Sequence, residues 1–160
     1  MLGTLPPAGE APCGPRCKVS TSRGRSAIGT RKVPVQVRNL TGVSAVVGGG
    51  NFSLALKFDG SVWGWGENGY GQLANGTTTL FGGVSKPTKA KLGSVIAIAA
   101  GDEHTLVLKS DGTVWTAGSN QRGQLGSGTF SDSSNPVEVI NVSGVVAIGA
   151  GLDHSLAVGP

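Results

Sequence analysis

The sequence predicts an all-β fold assembled from propeller blades. Three observations carry that reading. Apolar residues come in short runs with period-two alternation. Turn residues are abundant, with 28 glycines in 160 residues. And one stretch of about 50 residues recurs along the chain. No segment holds the sustained 3.6-residue apolar period of a helix.

The repeat decides the architecture. VSAVVGGGNFSLALKFDGSVWGWGENGYGQLANGT begins at Val43. VIAIAAGDEHTLVLKSDGTVWTAGSNQRGQLGSGT begins at Val95, and VVAIGAGLDHSLAVGP at Val145. The offsets are 52 and then 50 residues. Asp59-Gly60 falls on Asp111-Gly112, Trp63 on Trp115, Gly66 on Gly118 and Asn68 on Asn120. Gly71-Gln72-Leu73 falls on Gly123-Gln124-Leu125. These are read as structural positions of the repeat. A weaker echo lies upstream, where Gly24 to Thr30 can be laid on Gly123 to Thr129, and Pro34-Val35-Gln36-Val37 on Pro136-Val137-Glu138-Val139. The expected organisation is a basic, flexible arm over 1–33 that ends in a decayed repeat, then tandem repeats over 34–160. The units lie near 43–94, 95–144 and, in part, 145–160.

Each element of a unit has a local reason. The first strand, Val95 to Ala100, sets Ile96 and Ile98 on one face and Ala97 and Ala99 on the other. That suits a sheet packed on both sides. Gly48-Gly49, Ala100-Gly101 and Ala150-Gly151 end this strand almost without side chains. LALK-FDG-SVWGWG and LVLK-SDG-TVWTAG read as two strands joined at Asp-Gly, a favoured hairpin turn. The Pro-Val-Glu-Val stretch is a further strand with Pro at its first residue, where no ladder bond is lost. Three or four short strands per unit make a propeller blade. One blade cannot bury its own faces, so the next must cover them. A single β-sandwich needs no such sequence repeat.

Charge is uneven. Residues 1–33 carry Arg16, Lys18, Arg23, Arg25, Arg31 and Lys32 against Glu10, whereas 34–160 carry seven bases and eight acids. The net charge of +4 therefore belongs to the arm. A basic arm can grip nucleic acid. Here the bases are scattered among Gly, Ser and Pro with no aromatics to stack on bases, which reads as a solvated tail. Cys13 and Cys17 are two thiols where a zinc site wants about four ligands. No metal or cofactor is expected. The N-terminus lacks a signal-peptide core, and no run approaches the roughly 18 apolar residues of a membrane helix. A cytoplasmic product without membrane contact is the expectation.

Gly64-Trp65-Gly66-Glu67-Asn68-Gly69 spells the G-x-G-x-x-G of a dinucleotide loop. Such a loop leaves a strand, opens a helix and meets an acid about 20 residues on. No helical pattern follows here. In the second repeat the same positions read Thr116-Ala117-Gly118-Ser119-Asn120-Gln121, and two of the three glycines are gone. The glycines are turn positions of a repeat.

GSVWGWGENGYGQLANGT and GTVWTAGSNQRGQLGSGT, each followed by a Pro strand and then AAGDEHTLVL or GAGLDHSLAV, resemble the repeats of the regulator of chromosome condensation family. The likeness covers about residues 34–158. It implies a β-propeller of that type, usually of seven blades, so this chain is expected to hold an incomplete ring of about two to three blades within a longer reading frame. It also implies a non-catalytic protein-interaction scaffold. The alternatives it carries are guanine-nucleotide exchange on a small GTPase, and chromatin or nucleic-acid binding through the basic arm. Self-association through open blade ends is a further expectation. No nucleophile–base set and no phosphate-loop lysine is present, so the chain is not expected to be an enzyme.

The candidate partner-binding residues are Asp102, Glu103, His104, Asp153, His154 and Trp65. In the family, acidic and His side chains near blade ends help engage the GTPase. Recurrence of the histidines at one repeat position favours instead a ring bonded within or between blades. The first repeat departs here, with Asn51 and Phe52 in their place, and has Ala74 opposite Gly126. Trp65, opposite Ala117, is expected as an exposed aromatic. The loops 77–85 and 129–134 are the expected contact loops.

Overall fold

A computed structural model describes residues 18–19 and 35–160. The rest of the 1–33 arm, with Cys13, Cys17 and the 24–30 echo, lies outside the described residues. Twelve strands and no helix make up what is described. β1 (Lys18–Val19) and β2 (Val35–Gln36) form one antiparallel pair. β3 (Val43–Gly48), β4 (Phe52–Lys57), β5 (Val62–Asn68) and β6 (Thr79–Lys89) form a four-stranded meander in chain order, here blade 1. Blade 2 repeats it with β7 (Val95–Ala100), β8 (His104–Lys109), β9 (Val114–Gly118) and β10 (Ser133–Glu138). β11 (Ala147–Ala150) and β12 (Ser155–Val158) form a further hairpin. Among the described residues the sheets do not close into a ring; they make a partial propeller.

Successive blades touch through their first strands, β3 against β7 and β7 against β11. The largest core lies between blades 1 and 2. Leu54, Leu56, Val62 and Leu73 of blade 1 share it with Val95, Val107 and Ala117 of blade 2. The second strand of each blade is buried along its middle, as the stacking of blades requires. The first strand differs from the alternation expected of it. The ladder between β7 and β8 slips between Val95 and Ala97, and Ile96 is turned out to 58% exposure. A bulge of this kind re-aims a side chain and ends the simple two-face pattern.

The Asp-Gly turn is a three-residue loop, Phe58-Asp59-Gly60, closed by Lys57 N donating to Ser61 O at 2.9 Å. Gly60 sits at φ +74° and Gly112 at +80°, the left-handed region that only glycine enters freely. Asp59 Oδ1 accepts from both the backbone N (2.9 Å) and the hydroxyl (2.5 Å) of Ser61, and Trp63 Nε1 donates to that hydroxyl at 3.2 Å. Asp111, Thr113 and Trp115 repeat the relay at 3.0, 2.7 and 3.1 Å. Lys109 Nζ lies 4.1 Å from the Trp115 ring centre, within cation–π range. The recurring K-x-D-G-[ST]-V-W string is thus one small hydrogen-bonded unit per blade.

Candidate functional site

The hairpin tips between the first and second strands of each blade form one rim. Gly49, Gly101 and Gly151 each donate N–H to the carbonyl three residues on, at 2.9, 2.9 and 3.0 Å. The ring three residues on, Phe52, His104 or His154, folds back over the glycine. A Cβ there would stand 2.1–2.2 Å from the ring. The tips also bond to one another across blades. Gly50 N donates to Asp102 O and Asp102 N to Leu152 O, both at 3.1 Å. The backbone therefore fixes Asp102, Glu103, Asp153 and His154 in a row.

Their side chains differ in fate. Asp102, Asp153 and His154 are exposed and Glu103 is half-buried. Burial first, then the carboxylates of Asp102, Glu67, Asp153 and Asp132, hold the Glu103 carboxyl above its usual range. That shift marks a crowded negative rim. His104 is fully buried. Its Nε2 lies 3.1 Å from Ser155 Oγ of the next hairpin. Ser155 spends its proton on Gln124 O at 2.6 Å. Its oxygen must then accept, which assigns the Nε2–H tautomer to His104. Burial holds that ring below its usual value of 6.5, against the opposing pull of Asp153. His104 Nδ1 is left without a hydrogen-bond partner among the described residues.

Trp65 is not an exposed aromatic. It is 8% exposed and packs with Leu40, Val43 and Ala55. Two of the six candidates, His104 and Trp65, therefore offer no surface to a partner, and the other four share the rim or its shoulder. Among the described residues, no group of three His, Cys, Asp or Glu could hold a metal.

The recurring N-x-x-G-Q-L loops are internal clamps. Asn68 Oδ1 accepts from Leu73 N at 3.1 Å, and Asn120 Oδ1 from Leu125 N at 2.9 Å. Gln72 Oε1 accepts from Tyr70 N, and Gln124 Oε1 from Arg122 N. A contact missed from sequence ties blade to blade. Thr105 Oγ1 donates to Gln72 O of the preceding blade at 2.7 Å, as Ser155 does to Gln124 O. The signal was present: Ser53, Thr105 and Ser155 place a hydroxyl at one repeat position. Gly71 allows a second close approach, since a Cβ there would lie 2.3 Å from Ser134 Cα of blade 2.

Comparison with known proteins accords with this geometry. The model of the regulator of chromosome condensation (RCC1) repeat matches residues 59–108 and 111–158, more than half of the chain. A second RCC1 repeat model matches 43–72 and 95–124. The probable E3 ubiquitin-protein ligase HERC3 of Homo sapiens is 38% identical over 134 residues, 79% of this chain and 12% of that protein. The protein RCC2 homolog of Danio rerio is 35% identical over 126 residues, 72% of this chain and 24% of that one. The chain thus spans a quarter or less of these relatives. Among solved structures, Prp20p of Saccharomyces cerevisiae superposes with a TM-score of 0.73 at 19% identity, over 82% of this chain and 34% of that one. Human WBSCR16 gives 0.72 at 24% identity, over 88% and 38%. At such identities the likeness shows the fold alone. One expectation is corrected. The reading of the chain as no enzyme does not stand, because relatives matching it are E3 ubiquitin-protein ligases. The match covers 12%, 13% and 3% of those three proteins, so it assigns no catalytic step to these residues either. By sequence and by blade geometry, the chain belongs to the regulator of chromosome condensation (RCC1) repeat family.

Proposed function

We propose that this chain is a protein-interaction scaffold whose rim engages a partner through a basic surface. One observation carries the reading. Asp102, Glu103 and Asp153 line up on adjacent hairpin tips, and no side-chain hydrogen bond or ion pair involves them among the described residues. The recurring Asn, Gln, Thr and Asp side chains are, by contrast, committed to bonds inside the fold. A row of like charges costs self-repulsion unless a partner of opposite sign meets it. The 77–85 stretch, expected as a loop, is mostly the start of β6, because Thr79 and Val84 pair with Asn68 and Gly66 of β5; its exposed Leu80 and Phe81, with Phe130 in the loop before β10, add apolar contacts. The test is a pull-down against the triple variant Asp102→Asn, Glu103→Gln, Asp153→Asn. A partner retained by the wild type in a salt-sensitive way and lost by the variant supports the reading. Undiminished retention refutes it.

A small GTPase as that partner is the second reading. It is favoured by the likeness to Prp20p, whose structure was described together with its binding properties to Gsp1p and histones. Release of labelled GDP from candidate GTPases tests it, and no acceleration at micromolar protein removes it.

A further inference from the structure

We propose that His104 is a proton switch for the rim: the neutral ring locks the tip of blade 2 to the tip of the next hairpin, and a protonated ring releases them. Four contacts make the lock. The ring closes over Gly101, where a Cβ would collide with Cε1 and Nδ1. Gly101 N donates to His104 O at 2.9 Å and closes the tip. Nε2–H donates to Ser155 Oγ at 3.1 Å, and Ser155 in turn donates to Gln124 O at 2.6 Å. Asp102 N, the residue after Gly101, donates to Leu152 O of the next tip at 3.1 Å. The ring therefore supports the turn whose bond sets Asp102 in line with Asp153.

The lock admits only the neutral ring. His104 is fully buried, and a proton added at Nδ1 meets no acceptor among the described residues. A buried charge without a partner is costly. Ser155 does not relieve it, because its oxygen already accepts from Nε2. The charged groups nearby lie on three elements. Asp102 and Glu103 stand on the same tip, Asp153 and His154 on the neighbouring one, and Arg122 in the loop that supplies Gln124. Burial is the largest influence and favours the neutral ring; Asp153 pulls the other way, and His154 adds to the effect of burial. A protonated ring reaches water and an acceptor only by leaving its slot. Gly101 is then uncovered and Ser155 loses its donor.

Blade 1 has the same slot without the switch. There Phe52 covers Gly49, and Gly49 N donates to Phe52 O at 2.9 Å. A phenyl ring thus fills the place and takes no proton. What the histidine adds to blade 2 is the tie to Ser155 and the capacity to titrate. The direction follows from linkage. Below the ordinary His range the open tip binds a proton that the closed tip refuses, so opening grows by about tenfold per pH unit until the closed ring titrates too. Acid disperses the row of Asp102, Glu103 and Asp153, and the rim presents it intact near neutral pH and above.

Amide hydrogen exchange of the full chain, read by NMR from about pH 8 to about pH 5, tests this. With intrinsic exchange divided out, the Gly101 and Asp102 amides are expected to lose protection by about tenfold per pH unit below about pH 6.5. The Gly49 amide, under Phe52, is expected to keep its own. His104→Phe and His104→Gln, the second of which keeps a donor for Ser155, are each expected to level the Gly101 and Asp102 profiles. His154→Phe and Glu103→Gln are expected to leave the loss in place. Level protection at Gly101 and Asp102 in the wild type overturns the proposal. So does a loss that Gly49 shares equally, or one that persists undiminished in either folded His104 variant. The measurement needs no partner, so it separates this switch from the binding role proposed for the rim.

Discussion

The bond from Thr105 to the Gln72 carbonyl lets the coupling of two blades be tested at one atom. Thr105 is 1% exposed, and its hydroxyl is the donor to Gln72 O at 2.7 Å. Thr105→Val keeps the shape and removes the donor. The buried carbonyl is then left unpaired, which costs about 1–3 kcal/mol. Thr105→Ser keeps the donor and loses one methyl, about 0.8 kcal/mol. Ser155 already occupies the equivalent position and makes the equivalent bond, so the site accepts serine. The expected order of destabilisation is therefore Val above Ser. Urea unfolding read by tryptophan fluorescence measures this, since Trp63 and Trp65 report blade 1 and Trp115 reports blade 2. Blades couple through nearest-neighbour interfaces, so the Val variant should also lower the apparent m-value as the two blades cease to melt together. A Thr105→Val that is no less stable than Thr105→Ser would refute the assignment of this bond as the blade tie.

Four further outcomes follow from the same geometry. Burial holds His104 below 6.5, so the unfolded chain binds its proton first as pH falls. Its contribution is complete above about pH 6.5 and is lost below it; His104→Phe, which copies the Phe52 of blade 1, should flatten that part of a stability-against-pH series. Gly101→Ala should prevent stable folding in a melt, because the added Cβ would lie 2.2 Å from the His104 ring and 2.5 Å from Gly151 O of the next hairpin. Gly69→Ala, with open space around it, should be neutral or stabilise by up to about 1 kcal/mol. The hydroxyl and then the backbone N–H of Thr113 hold Asp111 below its usual carboxylate value, so its contribution stands above the ordinary carboxylate range and is lost as pH falls through that range. Thr113→Ala should raise the Asp111 pKa in an NMR titration, and an unmoved value would contradict the relay.

Much of this was legible in the residues because a repeat reports the same environment more than once. The strings around Asp59 and Asp111, and the loops at Gly71 and Gly123, mark turns whose needs are local: a left-handed glycine, and a side chain that bonds its own backbone. Trp65 shows the limit. Its singular place opposite Ala117 suggested an exposed aromatic, yet Leu40 and Val43 cover it. Which neighbour covers a face is a long-range matter that local pattern does not record. His104 is similar, since the sequence showed recurrence but not that Ser155 lies across the blade boundary.

By itself the sequence determined the all-β class, the blade unit, its period and its turns, because these rest on alternation, on glycine's access to positive φ and on side chains bonding within a few residues. Only the tertiary structure decided which polar groups face inward and which remain on the rim. Ser155, 51 residues from His104, turns that histidine into a tie between hairpins. The same hairpin leaves Asp153 in solvent beside Asp102. Burial and pairing are properties of the stacked blades, and a single blade's residues cannot specify them alone.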